Sequence, residues 1–166
     1  MQNYTIEDGR QVKKIRGWVI CFMIFLVLSG VTAFALETEM SWLVAGWPFA
    51  RSGALFGWIW RVYAALRDSS GRYPFLAYGY DWLAFAHLVI AVAFIGPLRD
   101  PVRNKWVIEF GMIACVMVFP LAFIAGAVRG IPIYWRLIDC SFGVVGLVLL
   151  SICYRAIRNL ERMRRG

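Results

Sequence analysis

The chain has 166 residues, of which 61% are hydrophobic and only 17% are charged, and its formal net charge is +8. Soluble globular proteins average roughly 45–50% apolar and about 25% charged residues, so this composition excludes a water-soluble fold. The excess of Lys and Arg is typical of residues that orient a membrane protein, and it therefore implies no nucleic-acid partner.

The first predicted span covers residues 17–36, which contain no charged side chain. At 1.5 Å per residue, a helix of this length crosses the hydrocarbon core of about 30 Å. Basic residues precede the stretch, and Ala33-Phe34-Ala35 is similar to the cleavage site of a signal peptide. The apolar run is longer than the roughly 7–15 residues of a signal peptide, so we interpret it as a retained helix.

A loop rich in tryptophan follows at residues 37–75. Within it, apolar side chains repeat at helical spacing: Leu55, Ile59, Val62 and Leu66. This spacing predicts an amphipathic helix that lies in the membrane interface. A short element that dips into the membrane is the alternative, and the charge of Arg61 at its centre argues against a complete span.

Three further apolar stretches predict spans at about residues 76–98, 106–128 and 134–154. Pro120 should kink the third of these, because proline removes a backbone donor. We therefore predict an all-α integral membrane protein, in which residues 1–166 form a single membrane domain. Its architecture would be a four-transmembrane-helix bundle with one additional interfacial amphipathic helix in the first outer loop.

The distribution of basic residues predicts the orientation of this multi-pass protein. Twelve of the eighteen Lys and Arg residues lie in the amino terminus, the loop after the second span and the carboxyl tail. The other six lie on the opposite side. By the positive-inside rule, both termini are cytoplasmic and the loop at residues 37–75 is on the outer side.

Several polar residues fall at membrane depth, where an ionisable side chain costs at least ~2.5–3.5 kcal/mol unless it faces a partner or a cavity. They lie about 6–10 Å below the outer boundary or just above it. These residues predict a ligand or proton site: His87, Asp139, Asp81, Arg136, Thr32 and Ser29. The structural alternative is that Arg136 pairs with Asp139 on one helix, and that His87 bonds to a neighbouring helix.

A second charged cluster lies at the inner ends of the second and third spans. It comprises Glu109, Arg99, Asp100 and Arg103. A salt-bridge network is the first interpretation of this cluster, and a catalytic or transport carboxylate at Glu109 is the second.

Motifs that would indicate a particular chemistry are missing from the sequence, which contains no phosphate loop, dinucleotide turn or hydrolase elbow. With one histidine in the chain we expect no metal site, and a haem would need its second axial ligand from a Met or another chain. The first functional hypothesis is a binding or accessory subunit that packs against membrane lipids, another membrane protein or a second copy of itself. The alternatives are a membrane enzyme or a haem- or quinone-binding subunit that uses His87, and a small transporter.

Glycines in the fourth span point to close helix packing. Gly143 and Gly146 share a helical face with Arg136, Asp139 and Cys140. Small side chains let another backbone approach, so this face should point into the bundle or into another subunit.

Overall fold

The structure is a computed structural model that describes residues 6–46 and 53–163, with side chains from residue 9 onward. Helices account for 91% of the described residues, and no β-strand occurs among them. The prediction of an all-α chain is confirmed. The contacts divide the chain into two compact units: unit one is Met1–Ile24 with Val92–Gly166, and unit two is Phe25–Ala91.

Four helical segments of the described chain are long and apolar enough to cross a membrane: Gly9–Phe34, Pro74–Arg99, Lys105–Val128 and Ile133–Met163. Only 17–28% of the residues in their apolar windows are buried. Most of the apolar surface of these helices is therefore exposed, as a lipid environment allows and water does not. The structure agrees with the sequence on the number of candidate spans and on their approximate positions.

The first and last helices are longer than predicted. Helix α1 (Ile6–Phe34) begins eleven residues before the predicted span, and the last helix continues nine residues beyond it, to Met163. The added turns carry buried side chains, among them Ile15 of α1 and Ile157 of the last helix. Packing of these side chains explains why the helices continue past the apolar stretches that the sequence marks.

Unit two contains the segment that was predicted as an outer loop. Two helices occupy it, α2 (Leu36–Ala45) and α3 (Ala54–Arg72), and they pack against each other. Within α3, Ile59 is buried and Val62 and Leu66 are half-buried, whereas Leu55 is exposed. The location of α3 in a membrane interface stays a prediction.

The second span consists of three pieces. A 3₁₀ turn (Pro74–Ala77) leads into α4 (Tyr78–Ala93), and Phe94 separates α4 from the short helix α5 (Ile95–Arg99). The Phe94 ring is fully buried, and its centroid lies 4.8 Å from that of Phe22. The residue at this break between α4 and α5 therefore belongs to the core of unit one.

The third span changes its winding at its proline. Helix α6 (Lys105–Pro120) runs directly into a π-helical turn (Leu121–Ala125), which is followed by α7 (Gly126–Val128). Because Pro120 has no N–H and its ring crowds the preceding turn, a regular helix cannot pass through this position unchanged. Wide π turns of this kind occur frequently at functional sites.

Helices α6 and α8 (Ile133–Met163) approach each other closely because glycines line their contact. A β-carbon at Gly143 would lie 2.8 Å from the Cys115 carbonyl oxygen, and one at Gly146 would lie 2.7 Å from Cys115 Sγ. A β-carbon at Gly111 would lie 2.7 Å from Leu150 Cδ1. The small-residue face of α8 thus packs within the chain.

The fully buried side chains of unit one collect at one end, which we name the basal end. It comprises α1 up to Val19, Phe94 with helix α5, the start of α6 up to Ile108, and α8 from Leu150 onward. The largest side chains that are less than 2% exposed are these nine: Phe94, Ile15, Ile108, Leu150, Ile157, Leu160, Val19, Pro97 and Cys153. Most of the hydrophobic and packing stabilisation of unit one therefore lies there.

Replacing Gly146 by Ala tests the close approach of α6 and α8. The new β-carbon would collide with Cys115 Sγ, so we expect a loss of about 1–3 kcal/mol and a lower unfolding temperature in detergent. Adding Cys115→Ala removes the sulfur and should restore part of the loss.

The matched control is Gly17→Ala in α1, where no atom lies within 4 Å of the added carbon. This change should leave stability unaltered or raise it slightly, because alanine favours a helix. Equal effects of the two glycine substitutions would contradict the close contact.

Candidate functional site

Asp139 lies in the first turns of α8, at the end of unit one opposite the basal end. We name this region the distal end; it comprises the π-helical turn, α7 and residues 133–142. The Asp139 side chain is half-buried on the same helical face as Gly143 and Gly146. No hydrogen bond or ion pair reaches its carboxylate from any described residue.

The side chain of Arg136, one turn before Asp139, makes its contacts with other residues. Its Nε donates a hydrogen bond of 2.7 Å to the Ile131 carbonyl. Its aliphatic stem passes so close to Gly126 that a β-carbon there would lie 2.9 Å from Arg136 Cδ. The alternative in which Arg136 and Asp139 form an ion pair is therefore not realised in the described part of the chain.

The surroundings of Asp139 on α8 are apolar and open. Phe142, one turn further along α8, is 71% exposed, and Trp135, one turn before Asp139, is half-buried. A carboxylate accepts hydrogen bonds but does not donate them, and Arg136 keeps its terminal nitrogens free of described partners. At the distal end, Asp139 can thus accept hydrogen bonds, and the guanidinium group of Arg136 can donate them one turn away.

The remaining predicted site residues lie in unit two. His87 is half-buried on α4, and its Nδ1 lies 2.7 Å from the Leu83 carbonyl oxygen. A carbonyl oxygen only accepts, so Nδ1 carries the proton and donates, which leaves the lone pair of Nε2 free in the neutral ring. That arrangement suits a hydrogen-bond acceptor or an axial ligand.

Ser29 and Thr32 are both exposed on α1, and the Thr32 hydroxyl donates to the Ser29 carbonyl of its own helix at 3.2 Å. Asp81 is half-buried in the first turn of α4. No hydrogen bond joins these three side chains to His87 among the described residues. A shared cavity that includes Asp139 stays a prediction, since Asp139 belongs to the other unit.

The charged cluster predicted at the inner ends of the spans lies at the basal end, where most of its contacts cap a helix. Arg16 donates to the carbonyls of Leu98 at 2.9 Å and Arg99 at 3.2 Å. Asn104 Nδ2 donates to the carbonyls of Gly96 at 3.1 Å and Asp100 at 2.9 Å. Arg16 thus satisfies carbonyls at the end of α5, and Asn104 adds a second donor to two carbonyls that already accept backbone N–H groups.

The carboxylate of Asp100 accepts the Arg103 backbone N–H at 3.0 Å and so shapes the turn into α6. Lys105 pairs with Glu161, through two Nζ to carboxylate distances of 2.9 and 3.1 Å. Glu109 is half-buried one turn further along α6, and no described ion pair joins it to Arg99 or Arg103. The pair between Lys105 and Glu161 joins the first turn of α6 to the last turns of α8.

A groove of about 400 Å³ along α3 in unit two was not recognised from the sequence. Trp60 and Tyr63 line it with ring centroids 5.9 Å apart, together with Arg67 and an Asp68–Arg72 ion pair of 2.8 Å. The sequence does place Trp60, Tyr63 and Arg67 at helical spacing on one face. That spacing is the signal that could have identified the groove.

Among the described residues, no group of three or more His, Cys, Asp or Glu side chains could hold a metal ion. The four cysteines form no disulfide, and three of them are buried. Comparison of the chain with protein-family models, with curated proteins and with solved structures finds no match.

The pair between Lys105 and Glu161 can be tested by exchanging the charges. Both side chains are largely shielded, being 29% and 21% exposed, so Lys105→Glu alone should destabilise the protein through repulsion from Glu161. Adding Glu161→Lys should recover stability, so the two changes should be coupled in a double-mutant cycle of thermal unfolding. Additive effects of the two changes would show that the pair does not form.

Proposed function

We propose that this chain is a small membrane-embedded binding or accessory subunit that packs against lipid and against another membrane protein or a second copy of itself. The observation that carries the proposal is the Asp139 carboxylate at the distal end, which has no donor among the described residues. Phe142, its neighbour one turn further along α8, is a large and exposed apolar side chain. A partner that packs on this surface would bring a donor to the carboxylate.

The position of Asp139 along α8 makes an unpaired carboxylate costly in a membrane. Asp139 is six residues from the start of α8, about 9 Å along the helix axis. An ionisable group inside the membrane costs at least ~2.5–3.5 kcal/mol and usually faces a polar partner or a water-filled cavity. Polar side chains within helices also hydrogen-bond across helix interfaces, which lowers the cost of inserting them.

The exposed apolar surface of unit one supports the same function. In the distal end and the adjoining part of α6, Val128, Ile124, Leu121 and Met117 are between 62% and 81% exposed. On α8, Gly143 and Gly146 are already covered by α6, whereas Asp139 lies one turn nearer the start of the helix and its side chain is only half-buried. Lipid or a partner helix would therefore pack on large side chains. Asp139 would make that contact specific by accepting a hydrogen bond.

His87 supports a second candidate, a haem- or quinone-binding subunit. Its Nδ1 hydrogen bond to the Leu83 carbonyl fixes the ring and leaves Nε2 free to ligate or to accept a proton. A visible absorption spectrum of the purified protein, with and without His87→Gln, distinguishes a haem subunit from the first candidate.

We also propose that both chain termini are cytoplasmic, because basic residues are concentrated at the basal end. Arg103 and Asn159 are exposed there, and Gly71 is exposed in unit two. Single cysteines at these three positions, labelled in intact cells with an impermeant thiol reagent, check the orientation. Gly71→Cys should react, whereas Arg103→Cys and Asn159→Cys should react only after the membrane is permeabilised; the reverse pattern would overturn the orientation.

Asp139→Leu tests the proposed binding role. Removing an unpaired polar group should raise the unfolding temperature of the isolated protein in detergent. The same change should weaken association, measured as energy transfer between donor- and acceptor-labelled copies reconstituted in lipid vesicles. If the Asp139→Leu variant is more stable but associates more weakly, Asp139 serves binding and not folding.

The control is Ser141→Leu, two residues along α8, where the hydroxyl already donates to the Ile138 carbonyl at 2.6 Å. This variant should change neither stability nor association appreciably. If Asp139→Leu destabilises the isolated protein, the carboxylate has a structural partner within the chain and the proposal is wrong.

A further inference from the structure

The last turns of α8 carry three arginines on one face. Arg155, Arg158 and Arg162 follow one another at spacings of three and four residues, so they line one side of the helix. Cys153, Ile157 and Leu160 are fully buried and lie on the opposite side. The three arginines are exposed, and no described residue forms an ion pair with them.

This arginine face belongs to an ordered part of the fold. Leu160 and Ile157 hold the last turns of α8 in the basal core, and the Glu161–Lys105 pair joins them to α6. Glu161 is the one acidic residue of these turns, and it is already engaged by Lys105. The positive charge of the face therefore remains unneutralised by its own helix.

The same side of α8 is apolar on the preceding turns. Val144 is 47% exposed and Val148 is 53% exposed, and both align with Arg155 and Arg162 around the helix axis. Val148 lies seven residues before Arg155, about 10 Å along the axis. One exposed face thus combines an apolar strip with a cationic patch at one end.

The length of α8 places the change from apolar to cationic near a membrane boundary. An α-helix crosses the hydrocarbon core of about 30 Å in roughly twenty residues. A span that begins at Ile133 therefore leaves the core near Cys153, just before the first of the three arginines. Valines would face acyl chains, and arginines would lie at the level of the headgroups.

We propose that this face of α8 binds an anionic phospholipid. An acyl chain lies along Val144 and Val148, and the phosphate accepts hydrogen bonds from Arg155 and Arg158, with Arg162 adding charge. Guanidinium groups suit this role because they donate two parallel hydrogen bonds to phosphate oxygens. Basic residues beside a span attract anionic lipid headgroups in the same way.

The binding experiment uses the purified full-length chain in a neutral detergent. Phosphatidylglycerol and phosphatidylcholine with identical acyl chains are titrated separately, and the bound lipid is counted by native mass spectrometry. Phosphatidylglycerol should bind more tightly, and its advantage should shrink as salt rises to 1 M, where the screening length falls to about 3 Å. This comparison needs no variant, so it stands even if a substitution impairs folding.

The combined substitutions Arg155→Gln, Arg158→Gln and Arg162→Gln should weaken phosphatidylglycerol binding by roughly fivefold for each arginine removed. The matched control replaces three other exposed arginines, Arg61, Arg67 and Arg129, by glutamine. This control removes the same charge and should bind phosphatidylglycerol as the unaltered chain does. Unfolding temperatures in the neutral detergent confirm that both variants are folded.

Three results would overturn the proposal. The first is equal affinity of the unaltered chain for the two lipids. The second is an equal loss in the control variant, which would mean that only net charge matters. The third is full competition by soluble glycerol 3-phosphate, which would mean that the face takes a free phosphate group and has no use for the apolar strip.

Discussion

Unit one depends on the close approach of α6 and α8, which glycine makes possible at three positions. Any β-carbon at Gly111, Gly143 or Gly146 would lie within 2.8 Å of a neighbouring atom. The space left by Gly111 admits Leu150 and the Phe94 ring, so the same feature that brings the two helices together also fills the core. Van der Waals contact of this kind is the main attraction between helices when the surrounding solvent is also apolar. The basal end is well packed for that reason.

The two ends of unit one differ in how their helices are built. At the basal end, added turns of α1 and α8 extend beyond the apolar stretches and carry buried side chains and a cross-helix ion pair. At the distal end, the regular winding of the third span stops at Pro120, and α6 gives way to a π-helical turn. Large apolar side chains there remain exposed, with Val128 at 81%. Among the described residues, the buried side chains of the distal end are small ones, such as Ala122 and Cys140, whereas large side chains fill the basal end.

Polar groups of the chain are satisfied in two different ways, and Asp139 is satisfied in neither. Arg16 and Asn104 donate hydrogen bonds to carbonyls at the end of α5. Arg16 is distant from α5 in the sequence, and Asn104 is close to it. Thr32, Ser141 and His87 instead bond to carbonyls of their own helices three or four residues earlier. Both arrangements remove the penalty of burying an unpaired polar group. Asp139 has neither kind of partner among the described residues, and this is the basis of the proposed binding role.

The sequence by itself determined the all-helical class, the four candidate spans and the glycine face of α8, because long apolar runs and helical periodicity are local properties. It also marked Asp139 as costly at its depth, since hydropathy and charge are read residue by residue. Only the tertiary structure decided which groups meet: Arg136 bonds to Ile131 and not to Asp139, and Lys105 pairs with Glu161 across 56 positions of sequence. The lengths of α1 and α8 and the helix α2 also came from the structure alone. Helix ends and ion pairs depend on packing between segments that are distant in the chain. A local sequence pattern does not predict that packing.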